Sequence, residues 1–211
     1  ILPTLSVAIL ANARILLLSH LGRPKEGCYS PEFSLQPIAE RLSVLLKQTV
    51  RLEKNWLNGV EVASKEVVLC ENVRFNVGEK ANDESLAKQI SSLCDVFVMD
   101  AFATAHRAQA STVGIARYAK VAAAGPLFMA ELKALQGVMQ NPKRPLVAIV
   151  GGAKISDKLQ VLKALIERVD TLIVGGGIAN TFIAALGHSI GSSLFEPALI
   201  ETAQALLEMA K

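Results

Sequence analysis

Cysteine is scarce in these 211 residues: Cys28, Cys70 and Cys94 are an odd number and show no Cys-x-x-Cys spacing. That pattern argues against a disulfide framework and against a zinc site, and it fits reduced, mostly buried thiols in a cytoplasmic protein. Aromatics supply only 5% of the residues, so any core must be built from aliphatic side chains. No apolar run approaches the roughly 20 residues that a helical membrane span needs, so no membrane partner is expected. A net charge of +3 without a Lys/Arg run gives no reason to expect a nucleic-acid partner. The opening Ile1-Leu2-Pro3-Thr4 has no methionine and no basic segment before an apolar stretch, so it is not a signal peptide. It reads as a chain entered part-way. Ala198–Lys211, a helical pattern with no C-cap, reads the same way, and both ends are expected to lack sequence.

What is present is a succession of short aliphatic runs: Ile15–Ser19, Val67–Cys70, Val96–Asp100, Leu146–Val150 and Thr171–Val174, with a further strand near Thr49–Leu52. Continuous apolar character, rather than alternation, marks strands covered on both faces and therefore parallel sheets. Between them lie stretches of helical period. Leu35–Lys47 carries Ile38, Leu42, Leu45 and Leu46 on one side, Glu84–Leu93 carries Leu86, Ile90 and Leu93, and Ile155–Val169 carries Leu159, Leu162, Leu165, Ile166 and Val169. The fold class is α/β, with doubly wound parallel sheets between helices in three layers. Gly125-Pro126 and Asn141-Pro142-Lys143-Arg144-Pro145 bracket a helical stretch, Leu127–Met139, that suits a connector between domains. The expected division is 1–125, a connecting helix over 126–141, and 142–211 as the start of a second domain. There is no internal repeat, low-complexity tract or long flexible linker.

Ligands of open parallel sheets bind beyond the carboxyl ends of the strands, so the loops there matter most. The first strand runs into His20-Leu21-Gly22-Arg23-Pro24, the Val67–Cys70 strand into Glu71-Asn72-Val73-Arg74, and the Val96–Asp100 strand into Ala101–Arg107 with His106. If these strands share a sheet, three loops carry His20, Arg23, Arg74, His106 and Arg107 to one rim. Guanidinium groups repel one another, and their planar forks suit carboxylate and phosphate, so a small, highly charged anion is the natural partner. Taken singly, each of these residues also fits an incidental surface ion pair. The repetition across three loops points to a site.

The last two strands end differently. Leu146–Val150 leads into Gly151-Gly152-Ala153-Lys154 and a helix containing Lys158, and Thr171–Val174 leads into Gly175-Gly176-Gly177 and a helical stretch from Ile178. A strand, a glycine turn and a helix N-terminus make an anion cradle, because backbone N–H groups are unpaired there and the dipole favours negative charge. Lys154 and Lys158, four apart, are expected to serve one ligand from the helix start. Glycine turns also occur simply as packing turns in α/β folds. Neither turn is a standard fingerprint. Gly151–Lys158 lacks the Gly-Lys-Ser/Thr of a P-loop, and Asn180 stands where a dinucleotide motif wants its third glycine.

Together, Ser19–Pro24, Glu71–Phe75, Asp100–Ala108, Val150–Lys154 with Lys158, and Gly175–Gly177 closely resemble phosphoglycerate kinase, in the family's order and spacing. The initial Leu2-Pro3-Thr4 fits as well. The resemblance implies two doubly wound domains joined by a helix and a hinge, in a cytoplasmic monomer. It implies phosphoryl transfer between 1,3-bisphosphoglycerate and ADP, giving 3-phosphoglycerate and ATP, with Mg²⁺ carried as MgADP or MgATP and no metal held by the protein. His20, Leu21, Gly22, Arg23, Arg74 and Arg107 would bind the phosphoglycerate. Gly152, Ala153, Lys154, Lys158, Gly176 and Gly177 would hold the nucleotide, with Lys154 and Lys158 meeting the group in flight. Transfer would be direct and in line, after domain closure, with catalysis supplied by positioning and charge neutralisation.

The family's Asp-Phe-Asn substrate segment, its upstream catalytic arginine and its later Gly-Gly-Gly-Asp-Thr turn are not in these residues, so the 211-residue chain alone is expected to be inactive. Two rivals remain. A nicotinamide-dependent oxidoreductase with a Rossmann site would want a third glycine and an acidic residue about 20 positions on, a place Glu196 fits. A non-catalytic, anion-binding paralogue would use the same loops without chemistry.

Overall fold

The computed structural model describes residues 1–211 and divides into two compact units, Ile1–Lys133 and Ala134–Lys211. In the first, α1 (Leu2–Leu10) precedes β1 (Ile15–Leu17), and α2 (Gln36–Leu46) leads to β2 (Val50–Glu53) and β3 (Val67–Cys70). These strands form a parallel sheet in the order β1-β3-β2, pairing Ile15 with Val67 and Val50 with Val67. The central strand explains the uninterrupted Val67-Val68-Leu69-Cys70 run: all four residues are 0% exposed, because helices cover both faces. On one face Leu5 of α1 and Ala39 and Leu42 of α2 pack on Val50, Val67 and Leu69. On the other, Cys70 joins a cluster with Trp56, with Leu86 and Ile90 of α3 (Glu84–Ser91), and with Ile115 of α4 (Ile115–Tyr118). Asp83 starts α3, its carboxylate accepting from the Leu86 N–H at 2.8 Å.

Phe97 of β4 (Val96–Met99) belongs to that second cluster, yet β4 pairs only with β5 (Val121–Ala124). The three rim-bearing strands therefore do not share one hydrogen-bonded sheet, contrary to the condition set by the sequence reading. Strand pairing depends on which edges meet, and apolar runs carry no record of that.

The division between units falls inside α5 (Pro126–Gln140). In the second unit β6 (Val147–Gly152) and β7 (Thr171–Gly175) pair in parallel. Ile155 and Leu162 of α6 (Leu159–Ile166), Ile178 and Phe182 of α7 (Gly176–Ala185), and Ala203 and Leu206 of α8 (Ile200–Met209) close one apolar cluster with Val150, Leu172 and Val174. The opposite face of β6 and β7 carries Val147, Ile149 and Ile173, and Ile149 is 76% exposed.

Candidate functional site

The rim of the first unit is built on two buried residues that follow β3. The Glu71 carboxylate accepts from Ser34 Oγ at 2.7 Å, from the Leu35 N–H at 2.8 Å and from the Asn72 N–H at 2.8 Å. Buried carboxylates persist only with such partners. Asn72, 1% exposed, donates through Nδ2 to the carbonyls of Leu21 at 2.8 Å and Phe33 at 2.9 Å, and its Oδ1 accepts from the Arg74 N–H at 3.1 Å. Arg74 in turn donates through Nη1 to the Gly22 carbonyl at 2.5 Å. Gly22 has φ +59°, and a Cβ there would stand 2.3 Å from the Phe33 ring, so no other residue fits this turn.

The third loop reaches the same place in spite of its separate sheet. Arg107 Nη1 lies 3.4 Å from His20 Nε2, a contact in which the ring nitrogen acts as acceptor. His20 is half-buried. Burial first, then the positive fields of Arg74 and Arg107, hold its pKa below the ordinary value of 6.5 and favour the neutral ring. Arg74 titrates below an ordinary guanidinium because of burial, followed by the field of Arg107, with Arg23 adding to it. Arg23, Arg74, Arg107 and His20 thus occupy one electrostatic neighbourhood. None of them forms an ion pair. Arg74 Nε is buried with no hydrogen-bond partner. Leu21, Gly22 and Arg23 line the outer, exposed part of the rim, and His106 is exposed on the third loop.

Three residues overlooked in the sequence support this arrangement: Glu71, Asn72 and Glu79. The buried Glu79 accepts from the Ser111 N–H at 3.0 Å and Ser111 Oγ at 2.5 Å, and its carbonyl accepts from the Ala110 N–H at 3.0 Å. It fastens the segment after Arg107. Burial pushes the Glu79 carboxyl upward, against the pull of the Ser111 hydrogen bonds and of Arg74. The available signal was a polar residue just beyond a fully apolar strand, which cannot be buried without partners.

The glycine loops of the second unit lie side by side. Gly152 bridges Gly176 beyond the β6–β7 ladder. A Cβ at Gly176, where φ is +63°, would meet the Gly152 carbonyl oxygen at 2.8 Å, and one at Gly177 would meet the Ala153 carbonyl oxygen at 2.1 Å. These two glycines are therefore demanded by the close approach of the loops themselves, whatever ligand they also admit. No side chain caps the N-terminus of α7, the kind of place where backbone N–H groups can meet an anion.

The helix expected over Ile155–Val169 starts late. Ser156–Lys158 is a 3₁₀ turn, Lys158 caps α6 with φ −124°, and Lys154 precedes both. The two lysines are exposed but do not stand one turn apart on a helix, which corrects the i,i+4 argument. Glu196 is the physical reason. Its carboxylate accepts from the Ser156 N–H at 3.0 Å and Ser156 Oγ at 2.6 Å, satisfying the start of the turn. Those hydrogen bonds, with a smaller contribution from Lys154, hold its pKa below the ordinary carboxylate range. Glu196 is thus spent within the fold and is not presented to a ribose. Asn180, in the place of the missing third glycine, donates to the Leu194 carbonyl at 2.9 Å and pins that same loop. A concavity of about 340 Å³ between Val138, Arg144, Leu146 and Val169 lies at the amino ends of the strands, away from the glycine loops.

Parallel sheets, a basic rim on strand-end loops and a helix that starts behind paired glycine turns define an α/β protein with basic and glycine-lined surfaces at the ends of its strands. The sequence matches the phosphoglycerate kinase family over residues 1–211, and the chain belongs to that family. It is 59% identical over 210 residues to a phosphoglycerate kinase of Legionella pneumophila strain Corby, covering all of this chain and 53% of that protein. The strain Lens relative is 58% identical with the same coverage. Among solved structures, phosphoglycerate kinase from Coxiella burnetii superposes with a TM-score of 0.86 at 56% identity, covering 99% of this chain and 54% of that one. The enzyme from Pyrococcus horikoshii OT3 gives 0.83 at 31% identity, covering 98% and 56%. The chain spans about half the length of the relatives it matches. No helix is long and apolar enough to cross a membrane.

Proposed function

We propose that the full-length protein containing this chain transfers a phosphoryl group between 1,3-bisphosphoglycerate and ADP, yielding 3-phosphoglycerate and ATP. The observation that carries the reading is the cluster of Arg23, Arg74, Arg107 and His20 without a single ion-paired carboxylate. Three guanidinium groups held together with no ion-paired carboxylate, and with only the buried Glu79 acting on Arg74 from a distance, are stabilised by an anion of several charges, and a phosphoglycerate has that charge. In this reading, the three arginines clamp phosphate and carboxylate, neutral His20 donates from Nδ1, and the backbone of Leu21 and Gly22 lines the ligand. Gly152, Ala153, Gly176 and Gly177 border the nucleotide, the uncapped start of α7 faces its phosphates, and exposed Lys154 and Lys158 neutralise charge on the transferring group. Mg²⁺ enters as the nucleotide's counter-ion and belongs to the substrate. The protein acts as a cytoplasmic monomer in which 1–125 binds the phosphoglycerate, 126–141 connects, and 142–211 begins the nucleotide domain.

The test is calorimetry and steady-state kinetics on the full-length protein. Arg23→Ala and Arg107→Ala are expected to weaken phosphoglycerate binding by about 1.5–3 kcal/mol, the worth of a charged hydrogen bond, with ADP affinity nearly unchanged. Lys158→Ala slows transfer and leaves phosphoglycerate binding intact. The reverse partition, or binding of NAD in place of ADP, contradicts the assignment.

A further inference from the structure

We infer that Asn72 is a positioning residue for the basic rim, fixing Arg23 and Arg74 relative to each other. The inference rests on the phosphoglycerate-binding reading of that rim. The problem Asn72 addresses is electrostatic: Arg74 sits in the positive fields of Arg107 and Arg23, and like charges brought this near repel one another. A carboxylate among them would hold them together but would also compete with the anionic ligand. A neutral amide ties the loops without adding charge.

The contacts close a ring. Asn72 Nδ2 holds the Leu21 carbonyl, two residues before Arg23, and also the Phe33 carbonyl. The Phe33 ring lies where a Cβ of Gly22 would be, so the segment carrying Phe33 packs directly on the turn between Leu21 and Arg23. Arg74 Nη1 donates to Gly22, and the Arg74 N–H donates back to Asn72 Oδ1. One buried side chain thus reaches the loop after β1, the segment before α2 and the turn after β3. Both of its donor hydrogens and its acceptor are used. An amide so placed has one productive orientation. Asn72→Asp keeps the acceptor for Arg74 but faces two carbonyls with a carboxylate, and Asn72→Ala removes all three contacts.

Because Asn72 is 1% exposed, it acts through the loops and not by touching ligand. Its loss should therefore appear selectively. In the full-length protein, Asn72→Ala and Asn72→Asp are each expected to raise the KM for 3-phosphoglycerate about tenfold or more, the scale of two lost interior hydrogen bonds. The KM for ATP stays within about twofold, since mutations remote from the nucleotide loops act independently of them. Asn76→Ala is the control: Asn76 Nδ2 donates to the Val73 carbonyl at 2.9 Å within the same turn and crosses to no other loop, so its kinetics stay at the parent level.

Amide hydrogen exchange supplies the second readout. Exchange should accelerate over Leu21–Arg23 in the Asn72 variants while Val67–Cys70 keeps its protection. Equal rises in both KM values, unchanged exchange at Leu21–Arg23, or loss of a cooperative melt in both variants assigns Asn72 to general fold maintenance and overturns the inference. If the parent protein binds no phosphoglycerate, the functional reading fails, and the exchange result still decides whether Asn72 holds the rim.

Discussion

Arg74→Met removes a guanidinium that is 8% exposed, donates once at 2.5 Å to a backbone carbonyl and leaves a buried Nε–H without a partner. In ligand-free protein the substitution loses that one hydrogen bond, worth about 1.5–3 kcal/mol for a charged donor. It also recovers the desolvation of a buried cation, several kcal/mol, and relieves the repulsion from Arg107 and Arg23, against the lost attraction of Glu79. Methionine follows the aliphatic stem and fills most of its volume. The balance lies between neutral and roughly 2 kcal/mol in favour of the variant, and Tm should be unchanged or a few degrees higher. Phosphoglycerate binding should weaken by about 1.5–3 kcal/mol, roughly 10- to 150-fold. Denaturant unfolding and calorimetry on the same full-length samples read both quantities. A structural arginine paired with Glu79 would give the opposite pattern, a loss of about 3–5 kcal/mol of stability with affinity retained, and that result would refute the reasoning.

Glu71→Ala leaves two buried N–H groups and a buried hydroxyl without their acceptor, so an unfolding titration should show a loss of about 3 kcal/mol or more. Glu71→Gln, which keeps one acceptor oxygen and can donate to Ser34, should cost much less. His20 has a folded-state pKa below its ordinary 6.5, so the unfolded chain binds the proton more readily. Its contribution to stability is fully present above pH about 6.5 and is lost as pH falls below that value and through the lower folded-state pKa, so the unfolding free energy of the parent should drop relative to His20→Gln between pH 7 and 5. A relative gain would show the sign to be wrong. Burial pushes the Cys70 thiol up to about 12, whereas Cys28 is exposed, so iodoacetamide followed by peptide mass mapping should find Cys28 labelled first and Cys70 only on unfolding.

The sheets were legible wherever burial imposed composition. Val67–Cys70, covered on both faces, was delimited to the residue, because nothing polar survives there without a partner. β5 was missed: Val121-Ala122-Ala123-Ala124 is short, alanine-rich and exposed throughout, with none of the β-branched bulk that marks a buried strand. α1 was missed too, since Leu2–Leu10 is apolar on every side and shows no periodic stripe. The basic rim could be read because three loops repeat one chemistry. Its scaffold could not, because Glu71, Asn72 and Glu79 join segments up to 51 residues apart, and such pairings have no local signature. The spacing of Glu196 from the glycine turn suggests a ribose contact, but its carboxylate is committed to Ser156, 40 residues away.

The convergence of Arg23, Arg74 and Arg107 on one anion is tested most directly by following their guanidinium Nε–H resonances in the full-length protein as 3-phosphoglycerate is added. All three should shift with a single dissociation constant that weakens as salt rises, and ADP should leave them in place. Three unrelated titrations, or shifts produced by ADP instead, would contradict it.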